Sequence, residues 1–251
     1  MSDQNNQRIV SLVPSLTELL YDLGLSDQVV GRTRFCIHPK GPIEKIEIIG
    51  GTKNPNIDKI RELNPDLIIA NKEENRKEDV CALRNFTKVL VTQIESPEDA
   101  LREIKRIGRA TGKLQEVEIM TDKIQSMLPS ESDYESVSAA YLIWRDPWMS
   151  VGNDTYIHHI MELFGLKNIF GTQSRYPVTQ DEELLSLQPE LILLSSEPYP
   201  FKEKHIAELK QILPGSVIKL VDGEWFSWYG SRMLKALPEL RQWREELNEQ
   251  I

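Results

Sequence analysis

The sequence predicts an α/β protein of two similar lobes with parallel-rich central sheets, joined by a long rigid helix and leaving a ligand cleft between the lobes. Three observations predict it. Twice an amphipathic helix runs into Pro, an acid and a wholly apolar strand, first at Ile57–Ala70 (IDKIRELNPDLIIA) and again at Asp181–Leu194 (DEELLSLQPELILL). A second pair stands in the same order in each half: Leu16–Leu25 before Val29-Val30-Gly31, then Tyr156–Leu166 before Ile169-Phe170-Gly171. An ordered repeat means two copies of one unit, and two lobes create a cleft, the usual place for a ligand. Finally, most apolar runs are continuous rather than alternating, as in parallel strands covered by helices on both faces.

The runs that read as buried strands are Ile9–Val13, Val29–Val30, Leu67–Ala70, Val89–Val91, Ala139–Trp144, Leu191–Leu194 and Val217–Val221. Helical periodicity falls between them at Ser15–Leu23, Asn56–Leu63, Glu78–Asn85, Pro97–Thr111, Thr155–Phe164, Asp181–Leu187, Lys204–Ile212 and from about Ser231 onward. Pro97–Thr111 and Lys113–Leu128 are both helical in pattern, with only Gly112 between them, which predicts a rigid connector rather than a flexible linker. The expected domains are therefore a lobe over residues 1–111, a connecting helix over 112–130 and a second lobe over 131–251. Pro129–Ser138 reads as the loop that opens the second lobe.

At 251 residues and 40% hydrophobic content the chain can form two modest cores, each of roughly 100–120 residues. A net charge of −9 and the lack of any Lys/Arg run disfavour nucleic-acid and anionic-membrane partners. No apolar stretch approaches the ~20 residues of a membrane span. The polar Met1–Arg8 start carries no export pattern, so the sequence as written is expected to be soluble and not exported. Cys36 and Cys81 read as reduced core thiols rather than a disulfide.

In open parallel sheets ligands bind beyond the carboxyl ends of the strands, so the segments following each strand carry the functional reading. After the first strand, Ser15 reads as a helix N-cap and Glu18 as its capping-box partner, with amides that could meet a ligand oxygen. After the second comes Arg32-Thr33-Arg34-Phe35-Cys36-Ile37-His38, a mixture of cations, an aromatic and two soft ligands. Cys36 and His38 alone do not make a metal site, because zinc needs three or four ligands. His158 and His159 are adjacent on a helix, about 100° apart, and cannot chelate together as an i, i+4 pair would. Gly50–Pro55 lacks the spacing of a phosphate loop and reads as a turn, while Lys72–Arg76 reads as either a solvated helix start or a cleft wall.

The stronger signal is in the second half. Trp144-Arg145-Asp146-Pro147-Trp148 follows one strand and Glu224-Trp225-Phe226-Ser227-Trp228-Tyr229-Gly230 follows another, placing six of the chain's eighteen aromatics in two loops. Four clustered aromatics left in water would forgo on the order of 6–12 kcal/mol, so they either plug the top of their own lobe or form a stacking wall for a large, flat ligand. No nucleophile elbow, dinucleotide-binding glycine motif, phosphate-loop lysine or His-Glu-x-x-His helix is present.

Five segments together resemble the solute-binding proteins of ABC importers for vitamin B12 and ferric siderophores, the vitamin B12-binding members above all. They are Arg8–Leu20 (RIVSLVPSLTELL), Asn56–Ala70, Gly152 with Asn168-Ile169-Phe170, Ser174-Arg175-Tyr176-Pro177 and Asp222–Arg232. The resemblance runs from about residue 8 to 245. It implies two α/β lobes bridged by one helix, a ligand held in the interlobe cleft with little domain closure, and a monomer that docks on an ABC permease dimer. The acids through which such proteins engage permease arginines fall on Asp58 and Glu182, each seven residues before the Pro of its repeat. The family's aromatic contacts fall on Phe35, Tyr176 and the Glu224-Trp225 region, with Arg232 nearby. A tryptophan and a tyrosine of the B12-binding members correspond to Thr52 and His38; with Arg34, Arg145 and Trp228, these departures suit a chelate other than cobalamin.

The reading that follows is a non-enzymatic receptor without a cofactor of its own. It takes up a metal chelate, a corrinoid first and a ferric siderophore or haem next, between Ser15, Phe35, His38, Thr52, Trp144, Tyr176, Glu224, Trp225, Trp228 and Arg232. Two competing readings stay open. One is a cytosolic enzyme, chelatase or carrier acting on such a chelate, with His38, Glu73 or Glu224 moving protons. The other is a bare-metal receptor that brings Cys36, His38 and an acid together. The compartment is cytoplasmic as the sequence is written, and periplasmic or cell-surface if an export signal has been removed.

Overall fold

The computed structural model describes residues 7–130 and 133–248. Met1–Asn6, read above for export, and residues 131–132 of the Pro129–Ser138 loop lie outside the described residues. By packing, the chain divides into two compact units. The first runs to Ile94 and takes in Glu98–Gln125 and the short segment Tyr229–Arg232; the second holds Ser126–Trp228 and the chain from Met233 onward.

The first unit is a five-stranded parallel sheet of β1 (Ile9–Ser11), β2 (Val29–Arg32), β3 (Glu47–Ile48), β4 (Leu67–Asn71) and β5 (Lys88–Thr92), in the order β3-β2-β1-β4-β5. Its helices are α1 (Pro14–Asp22), α2 (Ile57–Glu62), α3 (Lys77–Arg84), α4 (Pro97–Thr111) and α5 (Leu114–Met127). The inner strand β4 is buried along its whole length, which is why its sequence does not alternate. On one side of the sheet Val10, Leu12, Ile49, Ile60, Ile68, Ala70, Val80 and Leu83 form a core. The expected connector is two helices: Gly112, at φ +71°, ends α4, and the Lys113 N–H returns to the Gly108 carbonyl before α5 starts.

The second unit repeats the plan with β6 (Val137–Leu142), β7 (Trp148–Met149), β8 (Leu166–Asn168), β9 (Val178–Thr179), β10 (Leu191–Ser195) and β11 (Val217–Val221). Its main sheet is parallel in the order β11-β10-β6-β8, and β7 and β9 make a small antiparallel ribbon. The helices are α6 (Tyr156–Leu163), α7 (Asp181–Leu187), α8 (Glu203–Ile212), α9 (Gly223–Ser227) and α10 (Met233–Asn248). The α/β architecture in two lobes with parallel-rich sheets is thus as the sequence reads, and none of the described helices is long and apolar enough to cross a membrane.

The repeat has a structural cause. Asn64 and Gln188, each just before its Pro, both turn left-handed (φ 45° and 44°) and end their helices, α2 and α7. The acid after each Pro then closes the start of the central strand pair. Asp66 Oδ2 accepts from the Arg8 N–H at 2.7 Å, and Glu190 Oε2 accepts from the Ser138 N–H at 2.9 Å and its hydroxyl at 2.8 Å. Those bonds, the backbone one first, hold the Glu190 carboxyl below its ordinary range.

Four local expectations change. Ser15 is not the N-cap of α1, because Pro14 occupies the first helical position, where its fixed φ and missing N–H cost nothing; Val13 is the cap and no side chain bonds there. The Glu224–Gly230 loop is in part a helix, α9, capped by Asp222, whose carboxylate accepts from the Glu224 N–H. Lys72–Asn75 is a turn ahead of α3 rather than a helix start, the one of its two readings that changes, folded by Asn71 Oδ1 accepting from the Glu73 and Glu74 N–H groups. Cys36 and Cys81 are both free thiols, and only Cys36 is in a core.

Candidate functional site

In the first unit polar side chains tie neighbouring loops together, Thr17 of α1 reaching Cys36 after β2 and Asn75 after β4 reaching Thr52 after β3. Arg32, buried at the end of β2, donates from Nε to the Ile43 carbonyl and from Nη1 to those of Thr33 and Cys36, holding the loop that follows. Within that loop Cys36 turns inward against the Thr17 and Thr33 hydroxyls, so its neighbours Phe35 and Ile37 turn outward. Phe35 is 53% exposed, with the Arg34 guanidinium 5.9 Å over its ring. It lies against Gly51, where a Cβ would come within 3.4 Å of the ring. Thr52 and His38 are half-buried nearby in sequence, and the Thr52 carbonyl accepts from Asn75 of the turn after β4.

The Tyr229–Arg232 segment belongs to this unit. Arg232 Nε bonds Glu18 Oε2 at 2.8 Å, with both side chains largely buried. The Tyr229 hydroxyl reaches Glu74, and Ser15 also bonds it. Burial pushes the Tyr229 phenol well above its ordinary range, with the Glu74 and Glu73 carboxylates adding to the rise. Ser15 is therefore a buried anchor of this segment, with 3% of its surface exposed.

In the second unit the candidates stand beyond β6, β8 and β11. Trp144 is 42% exposed. Arg145 is turned away from it: its guanidinium lies 4.2 Å over Trp148 and pairs with Glu208 and Asp146. Trp148 itself is buried and donates from Nε1 to Asp181 at 2.7 Å. Tyr176 is half-buried in the loop before β9, with Arg175 5.7 Å over its ring. Glu224 and Trp225 ride half-buried on α9, while Phe226 and Trp228 are buried. The aromatic cluster therefore splits: Phe226, Trp228 and Trp148 plug the unit, and Trp144 and Trp225 keep surface in solvent.

Sequence reasoning missed Glu197, which organises this end of the unit. Its Oε1 accepts from the Ser227 hydroxyl at 2.8 Å and from Trp228 Nε1 at 2.9 Å. Beside it Ser196 Oγ accepts from the Gly223 N–H at 2.9 Å, and Gly223 has no room for a Cβ, which would lie 2.5 Å from Ser195 Oγ. The turn after β10 thus fixes α9. The only signal in the sequence is a lone acid before a proline at a strand end.

Burial pushes the Glu197 carboxyl up, against the two bonds that hold it down, and Glu224 and Asp222 add to the rise. A carboxyl whose folded pKa is raised binds more protons folded than unfolded between the two values, so its stabilising contribution is complete below the unfolded pKa and fades as pH rises through the folded one. Glu197→Gln keeps the acceptor without the charge. It is expected to raise the melting temperature at pH 7 relative to wild type, the advantage shrinking as pH falls through the acid range. Parallel melting curves across pH would contradict this.

Asp58 and Glu182 each occupy the second position of their helices, α2 and α7, and both are exposed. Asp58 Oδ1 meets Arg61 at 3.2 Å. Both acids sit favourably at the positive end of the helix dipole. No group of three His, Cys, Asp or Glu among the described residues is placed to hold a metal ion. Cys36 is unsuited in any case, since burial pushes its thiol up, away from the thiolate form that ligates. His158 and His159 pack edge to face, with His158 Nδ1 near Asn168 Nδ2 and His159 Nδ1 near the Thr155 carbonyl.

Comparison with known proteins places this geometry. The family model described as "Periplasmic binding protein" matches residues 9–213. An uncharacterized ABC transporter substrate-binding lipoprotein of Bacillus subtilis, YvrC, is 29% identical over 200 residues, covering 74% of this chain and 63% of its own length, so the match spans less than two thirds of that relative. A vitamin B12-binding protein of Pectobacterium carotovorum is 25% identical over 242 residues, covering 93% of this chain and 87% of its own. The apo periplasmic haem-binding protein RhuT of Roseiflexus superposes with a TM-score of 0.84 at 20% identity, covering 96% of this chain and 98% of its own. With the match spanning both units, from the first strand to the end of α8, the chain belongs to the periplasmic binding protein family.

Proposed function

We propose that the protein binds a metal chelate without turning it over and delivers it to an ABC importer, a corrinoid being the first choice and haem or a ferric siderophore the next. The observation that carries this is the pair of half-exposed aromatics, Phe35 and Trp144, standing beyond the carboxyl ends of β2 and β6, where parallel sheets present their ligands. Each is held out by an anchored neighbour: Cys36 turns inward beside Phe35, and Arg145 is pinned by Glu208 beside Trp144. Keeping large rings in water forgoes roughly 1.5–3 kcal/mol apiece, a cost that a flat apolar ligand would offset by covering them.

The names of the relatives support the class: one B12-binding, one haem-binding and one ABC substrate-binding protein. All are named for binding and none for catalysis. In this reading Asp58 and Glu182, exposed at equivalent positions of the two units, dock the permease dimer. Single exposed ion pairs are weak, but two acting together orient the approach.

Titration of the purified protein with hydroxocobalamin, haemin and a panel of ferric siderophores, followed by tryptophan fluorescence and the visible spectrum of the chelate, tests the reading. One chelate is expected to bind saturably at micromolar concentration or tighter. Phe35→Ala and Trp225→Ala should each weaken it by about tenfold or more, as hot-spot aromatics do. Silence across the whole panel would overturn the proposal.

A further inference from the structure

The two central strands of the second sheet, β6 and β10, are hydrogen-bonded neighbours, so the residues just beyond their carboxyl ends meet. Trp144 follows β6 and Tyr199 follows β10, and their rings lie edge to face, 5.6 Å apart at 68°. Beneath them the packing continues through Tyr199 on Phe201 at 4.8 Å and Phe201 on Trp148 at 6.1 Å, nearly parallel. Phe201 and Trp148 are buried, Tyr199 is half-buried and Trp144 is the exposed top. A rigid aromatic stack that ends in solvent offers a ready-made apolar contact whose ordering cost has been met by folding.

The polar end of Tyr199 is equally defined. The Lys202 backbone N–H, a group that can only donate, points at His205 Nδ1 at 2.9 Å. Nδ1 is therefore the acceptor, and the proton of the ring is on Nε2. Nε2 lies 3.3 Å from the Tyr199 oxygen and so donates to it. The hydrogen of the hydroxyl is left pointing elsewhere, toward an acceptor that no described residue supplies. Helix α8 thus uses its capping histidine to turn Tyr199 into a fixed donor beside Trp144.

We propose that Trp144 and Tyr199 form a subsite for the periphery of the chelate: Trp144 packs on a flat or apolar part, and the Tyr199 hydroxyl donates one hydrogen bond to a carboxylate or amide carbonyl at its rim. This rests on the chelate-binding reading above.

The test compares wild type, Tyr199→Phe and Trp144→Ala, titrated with haemin, which bears rim carboxylates, with hydroxocobalamin, which bears rim amides, and with the ferric siderophore panel. Tyr199→Phe keeps the ring and its packing but takes the acceptor from the buried His205 Nε2–H, so it should fold with a modestly lowered melting temperature while it binds the recognised chelate about five- to tenfold more weakly, the loss of one hydrogen bond. Trp144→Ala should weaken it by about tenfold or more. If wild type binds and both variants bind within twofold of it, the subsite is overturned and the chelate reading stands. If wild type binds none of the probes, the chelate reading falls and the subsite with it.

Discussion

Arg244→Ala is expected to destabilise the second unit by about 3–5 kcal/mol, the range for truncating a large buried side chain and losing the hydrogen bonds it makes. The side chain is wholly buried, a rare state for arginine, and its surroundings explain it. Nε donates to the Phe164 carbonyl at 2.9 Å, Nη2 to the Glu135 carbonyl at 2.7 Å, and Nη1 to Asn248, with the Tyr134 ring 5.4 Å from the guanidinium. Phe164 caps the end of α6 and Glu135 lies just before β6. One residue of α10 therefore satisfies a helix end and the approach to a strand at once, and a cation at a helix C-terminus gains from the dipole as well. Burial lowers the pKa of Arg244, the sign that it is held in a poorly solvated place. Alanine would leave the buried Phe164 carbonyl without this donor, worth about 1–3 kcal/mol, would free the part-buried Glu135 carbonyl at a smaller cost, and would open a cavity besides. Lysine would recover part of the loss, since a single ammonium cannot span both carbonyls with the arginine fork. Urea unfolding followed by tryptophan fluorescence measures it, and a loss under about 1 kcal/mol would refute this account.

Arg244 was invisible in the sequence, and the reason is general to this chain. What the sequence showed were features set by local chemistry: continuous apolar strands such as Leu67–Asn71 and Leu191–Ser195, and the Pro-acid junctions whose acids close the neighbouring strand. Strands of two residues, Glu47–Ile48, Trp148–Met149 and Val178–Thr179, are too short to carry a period. The Ser15 capping box failed because Pro14 outcompeted it for the start of the helix. At the candidate site the aromatic content was legible but its orientation was not: nothing in Trp225-Phe226-Ser227-Trp228 says that α9 turns Phe226 and Trp228 inward and leaves Trp225 half-exposed. Glu197 and Tyr199 matter through partners some 30 residues away and through a histidine tautomer, relations that only the fold creates.

The same argument makes the Glu18–Arg232 pair the sharpest test of what holds Tyr229–Arg232 in the first unit. With side chains 4% and 14% exposed, the pair gains Coulomb energy in a poorly screened place but has lost the hydration of both charges. Glu18→Ala should then cost about 3–5 kcal/mol, because the arginine keeps its charge in a buried place without this carboxylate, and Arg232→Ala should cost a similar amount because the buried Glu18 loses this cation. Glu18→Leu combined with Arg232→Met, which replaces both charges with apolar bulk, should return most of that stability, so that the double variant lies far above the sum of the single losses. Chelate affinity should not return with it. Beside the pair, Gly230 lies close to the Ser15 backbone, and Tyr229 is bonded to Glu74 and Ser15. A non-directional apolar contact holds that segment less uniquely than a 2.8 Å charge-assisted bond. Equal instability in single and double variants would instead put the energy in packing around the two stems, and full recovery of binding would show that the pair stabilises the segment without positioning it.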